Sequence, residues 1–218
     1  MQSLSSFRAP DTNKTFGIEW EVCYSNFFNP PPAVYGTYIK FFYVTSDGSI
    51  HCPIEGSWWT RELVSQPLPP RWLVKEMARL ARALELTPFN PGPGQKSYRN
   101  QTMEEMANDS CGIHIHINRK WLNEAKAKLI FDWWKALSKE DKIQFFGRDT
   151  NSYCKPHWKS SRYDAINLTN LNTIEFRMFS SGGLKWAQWC VLFTEYLINN
   201  AKRLNIHAVQ AFYDSYWK

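Results

Sequence analysis

Three short runs in this chain put chemically capable side chains two residues apart. "GIEWEV" carries Glu19 and Glu21, "CGIHIHIN" carries His114 and His116, and "NTIEFRMF" carries Glu175 and Arg177. In an extended strand, residues two apart share a face and the residues between them point the other way. The opposite faces are then Ile18, Trp20 and Val22; Ile113, Ile115 and Ile117; and Ile174, Phe176 and Met178. A solvated strand face favours Thr, Lys, Ser and Gln, whereas these runs carry carboxylates, imidazoles and one guanidinium. Opposed cross-strand pairs sit about 4.5–5.5 Å apart, so neighbouring strands of this kind would gather several metal-capable groups. Paired carboxylates repel unless a cation lies between them. Oxygen-rich clusters with some imidazole suit Mg2+ or Mn2+, above all where substrate phosphates complete the shell.

Two further acids fit around these strands. Glu62 lies in "RELVSQPL", an apolar run beside a Pro-rich turn, and Asp47 lies in "SDGSI", which is equally a turn. A zinc site is the competing metal reading, with His114 and His116 joined by Cys154 and His157 of "CKPH".

The elements that must position these groups follow from periodicity. "TFGIEWEVCY" alternates as a strand. "YGTYIKFFYVTSDGSI" (35–50) reads as one strand ending in the Asp47-Gly48 turn, with a further short strand at "WWTRELVS". The stretch 69–86 has a helical pattern with Trp72, Leu73, Met77, Leu80, Ala81 and Leu84 on one side. A Pro-, Gly- and polar-rich stretch over 88–110 reads as a lid over the site, a role weighed equally against a plain surface loop. Beyond the His-x-His strand come a helix over 120–138, a short one capped by Ser138 with Asp141, and a strand over 172–179. A long buried helix follows from 184, and another spans 207–217. Strands and helices mix without a βαβ rhythm, so the expectation is an α+β fold with a mostly antiparallel sheet and one domain over 1–218.

The chain has 218 residues, net charge +6 and a hydrophobic fraction of 44%, as in an ordinary globular protein with some preference for anions. No apolar run is long enough for a membrane span. The start shows no secretory leader, and five scattered cysteines without CxxC spacing suit reduced thiols, so a cytoplasmic location is expected. No G-x-x-x-x-G-K-[ST] sequence is present, which excludes a P-loop enzyme.

In order along the chain, "FGIEWEV", "DGSI", "ELVSQPL", "CGIHIHIN", "RYDAINLTN" and "TIEFRMFSSG" resemble the serial motifs of the amidoligases, over about residues 16–183. These are carboxylate–amine ligases related to glutamate–cysteine ligase and built on the glutamine-synthetase-type fold. The resemblance implies a curved antiparallel sheet whose concave polar face takes ATP and divalent metal, with helices on the other face. It implies Glu19, Glu21, Glu62 and Glu175 as metal ligands. His114 and His116 would divide metal or phosphate and nucleotide between them, in an order the resemblance leaves open. Arg177 would reach the transferred phosphate, and Arg162 and Asn167 would contact phosphate or substrate. Glu21, Glu175 and Arg177 would then carry the chemistry, with ATP and Mg2+ (or Mn2+) as cofactors and an acid and an amine of unspecified identity as substrates. A small stand-alone ligase of this type would fit a bacterium or a bacteriophage. The helices over 184–218 carry no motif. The alternatives are a non-catalytic nucleic-acid-binding module, drawn from the basic charge and the many aromatics, a zinc-dependent hydrolase using His114 and His116, and a degenerate ligase that binds nucleotide without turnover.

Overall fold

The structure, a computed structural model, describes residues 14–25, 38–39, 41–45, 50, 58–85 and 111–218. Asp47 and the 88–110 segment lie outside the described residues. Among the described residues, seven strands form one sheet: β1 (Phe16–Ser25), β2 (Tyr38–Ile39), β3 (Phe42–Thr45), β4 (Trp58–Ser65), β5 (Gly112–Asn118), β6 (Ile166–Asn167) and β7 (Thr173–Ser180). Their order is β2-β3-β4-β1-β5-β7-β6, and each neighbouring pair is antiparallel.

The alternation in β1 has its expected effect. Phe16, Ile18, Trp20 and Val22 are buried in the core together with Ile113, Ile115 and Ile117 of β5. The helices cover this apolar face: α1 (Pro70–Glu85), α2 (Glu124–Ala136), α3 (Lys139–Phe146), α4 (Leu184–Asn200) and α5 (Ile206–Trp217). Pro70 opens α1, where its missing N–H would have had no helical partner. Asn123 and Asn205 cap α2 and α5 by accepting from Lys126 N and Ala208 N. Ser138 accepts from Asp141 N at the start of α3, as the spacing predicts. Helix α3 ends at Gly147 with φ +75°, where a Cβ would lie 1.9 Å from Ser180 Oγ. Trp189, Phe193, Phe212 and Tyr213 form an aromatic layer tied to β7 through Phe146 and Phe179.

Three expectations need correction. The single strand expected over 35–50 is instead two short strands, β2 and β3, paired as a hairpin with Ile39 opposite Phe42. Trp72, expected on the buried side of α1, is 42% exposed, while Leu73, Met77, Leu80 and Ala81 are buried. Strict alternation also fails in β7. Ile115 faces Phe176 but Ile113 faces Phe179, so β7 carries one extra residue opposite His114. This bulge lets Phe176 and Phe179, three apart, both face the core.

Candidate functional site

The other face of the sheet brings the three polar pairs together. In register, Glu21 sits opposite Glu62, Glu19 opposite His114, and His116 opposite Glu175. Tyr153, Arg162, Tyr163, Asn167, Thr169 and Asn170 flank them. Together they line a cavity of about 500 Å3 that includes Glu19, Glu21, Glu62, His114, His116, Glu175 and Arg177.

Burial distinguishes this face from an ordinary wet one. Glu21 is 5% exposed, His114 5% and Glu175 6%, values at which unpaired carboxylates are costly. Each has named partners. The backbone N–H of Gly112 donates to Glu21 Oε2 at 2.5 Å. Glu175 accepts from Asn167 Nδ2 at 2.7 Å and from Arg177 Nη1 at 2.5 Å. Glu19 bridges both imidazoles, with Oε2 3.1 Å from His114 Nδ1 and Oε1 2.9 Å from His116 Nε2. Burial pushes the Glu19 carboxyl up, but the hydrogen bonds and charges of His114 and His116 overcome it and hold Glu19 far below the usual carboxylate range. Burial likewise pulls His116 down, and the Glu19 hydrogen bond and charge, with Glu175 adding to them, leave it raised.

His114 lies at the centre. Its Nδ1 is also 3.6 Å from Glu175 Oε1, and its Nε2 is 3.7 Å from Glu21 Oε1. Among the described residues, two groups bring ligand atoms within 4.8 Å of one another: Glu19, His114 and Glu175, and Glu21, Glu62 and His114. Two carboxylate oxygens with one imidazole form a hard, oxygen-rich donor set in each group, fitted to Mg2+ or Mn2+. Neither group includes Cys154 or His157, so the four-ligand zinc site is not assembled. Cys154 is buried in the core, and burial pushes its thiol up to about 11, while His157 is exposed.

The remaining predicted residues lie on the cavity wall. Arg177 is fixed by Glu175 and by Tyr153 O, to which Nε donates at 3.3 Å. Arg162 is fully exposed and bonds the Tyr163 hydroxyl, and the Tyr163 ring lies near both guanidinium groups. Asn167 points at Glu175 and lines the cavity, so its first role is to hold a carboxylate.

Sequence patterns did not single out Gly112, Arg148, Tyr153 or Tyr163 as site residues. A Cβ on Gly112 would lie 2.9 Å from Arg148 Nη2, 3.1 Å from His114 Nε2 and 3.4 Å from Glu21 Oε2. Arg148 Nη2 donates to Cys111 O at 2.7 Å, and burial lowers the guanidinium's pKa. The glycine just before the His-x-His pair was the available signal; Arg148 reaches the site only through tertiary packing. Among the described residues, most of the aromatics that suggested base stacking are buried in the core or packed against it, and the sheet's polar face carries glutamates and histidines.

No protein-family model matches the chain, and no curated protein matches it. Among solved structures, the chain is similar to a bifunctional glutathione synthetase from Pasteurella multocida, with a TM-score of 0.40, 17% identity and 86% of this chain covered. The chain spans 38% of that protein's length, and no reading of the site rests on the likeness. No described helix is long and apolar enough to cross a membrane.

Proposed function

We propose that this chain is an ATP- and Mg2+-dependent carboxylate–amine ligase of the amidoligase type. The observation that carries the reading is the pair of three-residue groups meeting at His114, with Arg177 on the same cavity wall. Glu19, His114 and Glu175 would hold one divalent ion, and Glu21 and Glu62 a second. When bound, Mg2+ or Mn2+ offsets the charge of the phosphate oxygens.

The chain's own residues divide the remaining work. Arg177, locked by Glu175 and the Tyr153 carbonyl, offers a pre-oriented cation to the transferred phosphoryl group, where charge spreads over the oxygens. His116, at the Glu19 end of the face, serves the nucleotide. Arg162, at the exposed rim, meets phosphate or the incoming acid, and Asn167 keeps Glu175 in place. Glu21 and Glu175 stand as carboxylates beside the reacting groups.

The reaction runs in two steps. The acid's carboxylate oxygen attacks the γ-phosphorus, an O–P bond forms, and ADP leaves with the bridging oxygen. The amine nitrogen then attacks the acyl carbon and loses a proton, a C–N bond forms, and phosphate departs. The enclosure of Glu21, His114 and Glu175 limits water that would hydrolyse the acyl phosphate. The acid and amine are small molecules, peptides or macromolecular groups.

The test is thermal unfolding with and without ATP plus Mg2+, repeated with EDTA and with Glu21→Ala. Ligand at about 100 times its dissociation constant contributes about 2.7 kcal/mol. That is a rise of about 5–11 °C for a chain of this size. A metal-dependent rise that Glu21→Ala abolishes is the expected result; no rise with nucleotide overturns the ligase reading.

A further inference from the structure

We propose that Arg119, which does not line the cavity of the metal-capable groups, is a positioning residue for nucleotide binding; this inference rests on the ATP-dependent reading above. Residues 168–172 connect β6 to β7 and form a wall shared by two adjoining cavities. Thr169 and Asn170 line the 500 Å3 cavity with Glu175 and Arg177. Asn170 and Asn172 line a second cavity of about 420 Å3, with Gly17, Val64 and Pro67, which meets the first at Glu19 and His116.

Arg119 holds this wall by alternate carbonyls. Its Nη2 donates to Leu168 O at 2.6 Å, its Nε to Asn170 O at 2.9 Å, and its backbone N–H to Asn172 O at 3.1 Å. A single residue at the end of β5 thus replaces the strand partner that the loop lacks. The planar guanidinium suits this, because two donors in fixed geometry fix two carbonyls at once. The loop's own bonds complete the hold. Asn170 Oδ1 accepts from the N–H groups of Asn172 and Thr173, and Asn167 Oδ1 accepts from Thr169 N while Nδ2 holds Glu175. Leu168 packs against the core, but Leu171 at the tip is 90% exposed, so core packing does not anchor the tip of the turn. The second cavity pairs apolar surface with side-chain amides beside His116, an environment matched to a nucleoside whose phosphates extend toward Glu19 and Glu175. Holding Asn170 at the junction keeps both parts of one ligand aligned.

The test measures two affinities in wild type, Arg119→Ala and Arg119→Lys: ATP with Mg2+ by calorimetry, and Mn2+ alone by electron paramagnetic resonance. Arg119→Ala weakens ATP by about tenfold and Arg119→Lys by less, because an ammonium cannot span two carbonyls in one plane. Mn2+ binding stays within about twofold of wild type in both, because Arg119 touches no carboxylate of either group. Hydrogen exchange rises at residues 168–173 in Arg119→Ala. If Arg119→Ala does not fold, Arg119→Lys carries the comparison. Wild type that binds no ATP overturns the nucleotide reading itself. Wild type that binds ATP, beside variants that bind it equally well or lose Mn2+ in proportion, overturns the role of Arg119 alone.

Discussion

Gly112→Ala isolates how tightly the polar face is packed. Glycine is present there for space. The added methyl would meet Arg148 Nη2 at 2.9 Å and His114 Nε2 at 3.1 Å, closer than carbon and nitrogen normally approach, and Glu21 Oε2 at 3.4 Å. Arg148 is half-buried and bonded to Cys111 O, so swinging it away breaks that bond. Overpacking of this kind costs about 1–3 kcal/mol. Replacing a strand glycine returns about 0.5–1 kcal/mol by reducing unfolded-state entropy. The net loss is about 0.5–2 kcal/mol, which lowers the Tm by about 1–8 °C and leaves the protein folded. The effect on function is larger in proportion, because His114 must give by a few tenths of an ångström. Mispositioned supporting groups typically cost 10–100-fold in metal affinity, so Mn2+ binding falls by about tenfold or more. Unfolding curves and Mn2+ titration by electron paramagnetic resonance measure the two effects separately. A Gly112→Ala protein that binds Mn2+ as wild type does would refute the assignment of His114 and Glu21 to an ion site.

Two other perturbations follow from the same contacts. Asn167→Ala removes the donor to Glu175 and the acceptor for Thr169 N, so stability falls by about 1–3 kcal/mol and Mn2+ affinity falls with it; unchanged affinity would show that Asn167 does not position Glu175. Asp164 gives a pH prediction. Burial raises its carboxyl, but hydrogen bonds from the hydroxyls and N–H groups of Ser160 and Ser161 win and lower it. A lowered folded value means that this stability is present above the unfolded Asp pKa and is lost as pH falls through the folded value. Wild type therefore loses Tm on acidification below about pH 4 more steeply than Asp164→Asn does; parallel curves would refute the contribution.

Much of the sheet was legible because period-two alternation is local. Glu19, His114 and Glu175 share a face for the reason their sequence pattern gives, and Ser138 caps α3 because its side chain needs only the N–H three residues on. What escaped depends on partners distant in sequence. Phe179 faces the core through a bulge, which one extra residue in pairing creates and no strand pattern displays. The 35–50 stretch reads as continuous because its aromatics suit a strand on either side of the break. Trp72 satisfies the helical period of α1 yet lies at the margin of the buried face. Arg119 and Arg148 look like ordinary surface cations until their carbonyl partners are known. Cys154 and His157 have ligand-like spacing, but the thiol is buried in the core and joins neither metal-capable group.

The strand order also carries a timetable. β1 lies centrally, between β4 and β5, and its Glu19 meets a histidine 95 residues further along the chain. During synthesis, β1 through β4 can pair among themselves, but one edge of β1 stays open until β5 emerges, and β7 comes about sixty residues after that. Long-range pairing of this kind is slow, and an open apolar-faced edge is exposed to association while it waits. No fragment ending before β7 can present Glu19, His114 and Glu175 together. Completion of the Glu19, His114 and Glu175 group therefore reports the last step of sheet assembly, whereas Glu21, Glu62 and His114 can already meet once β5 has paired with β1.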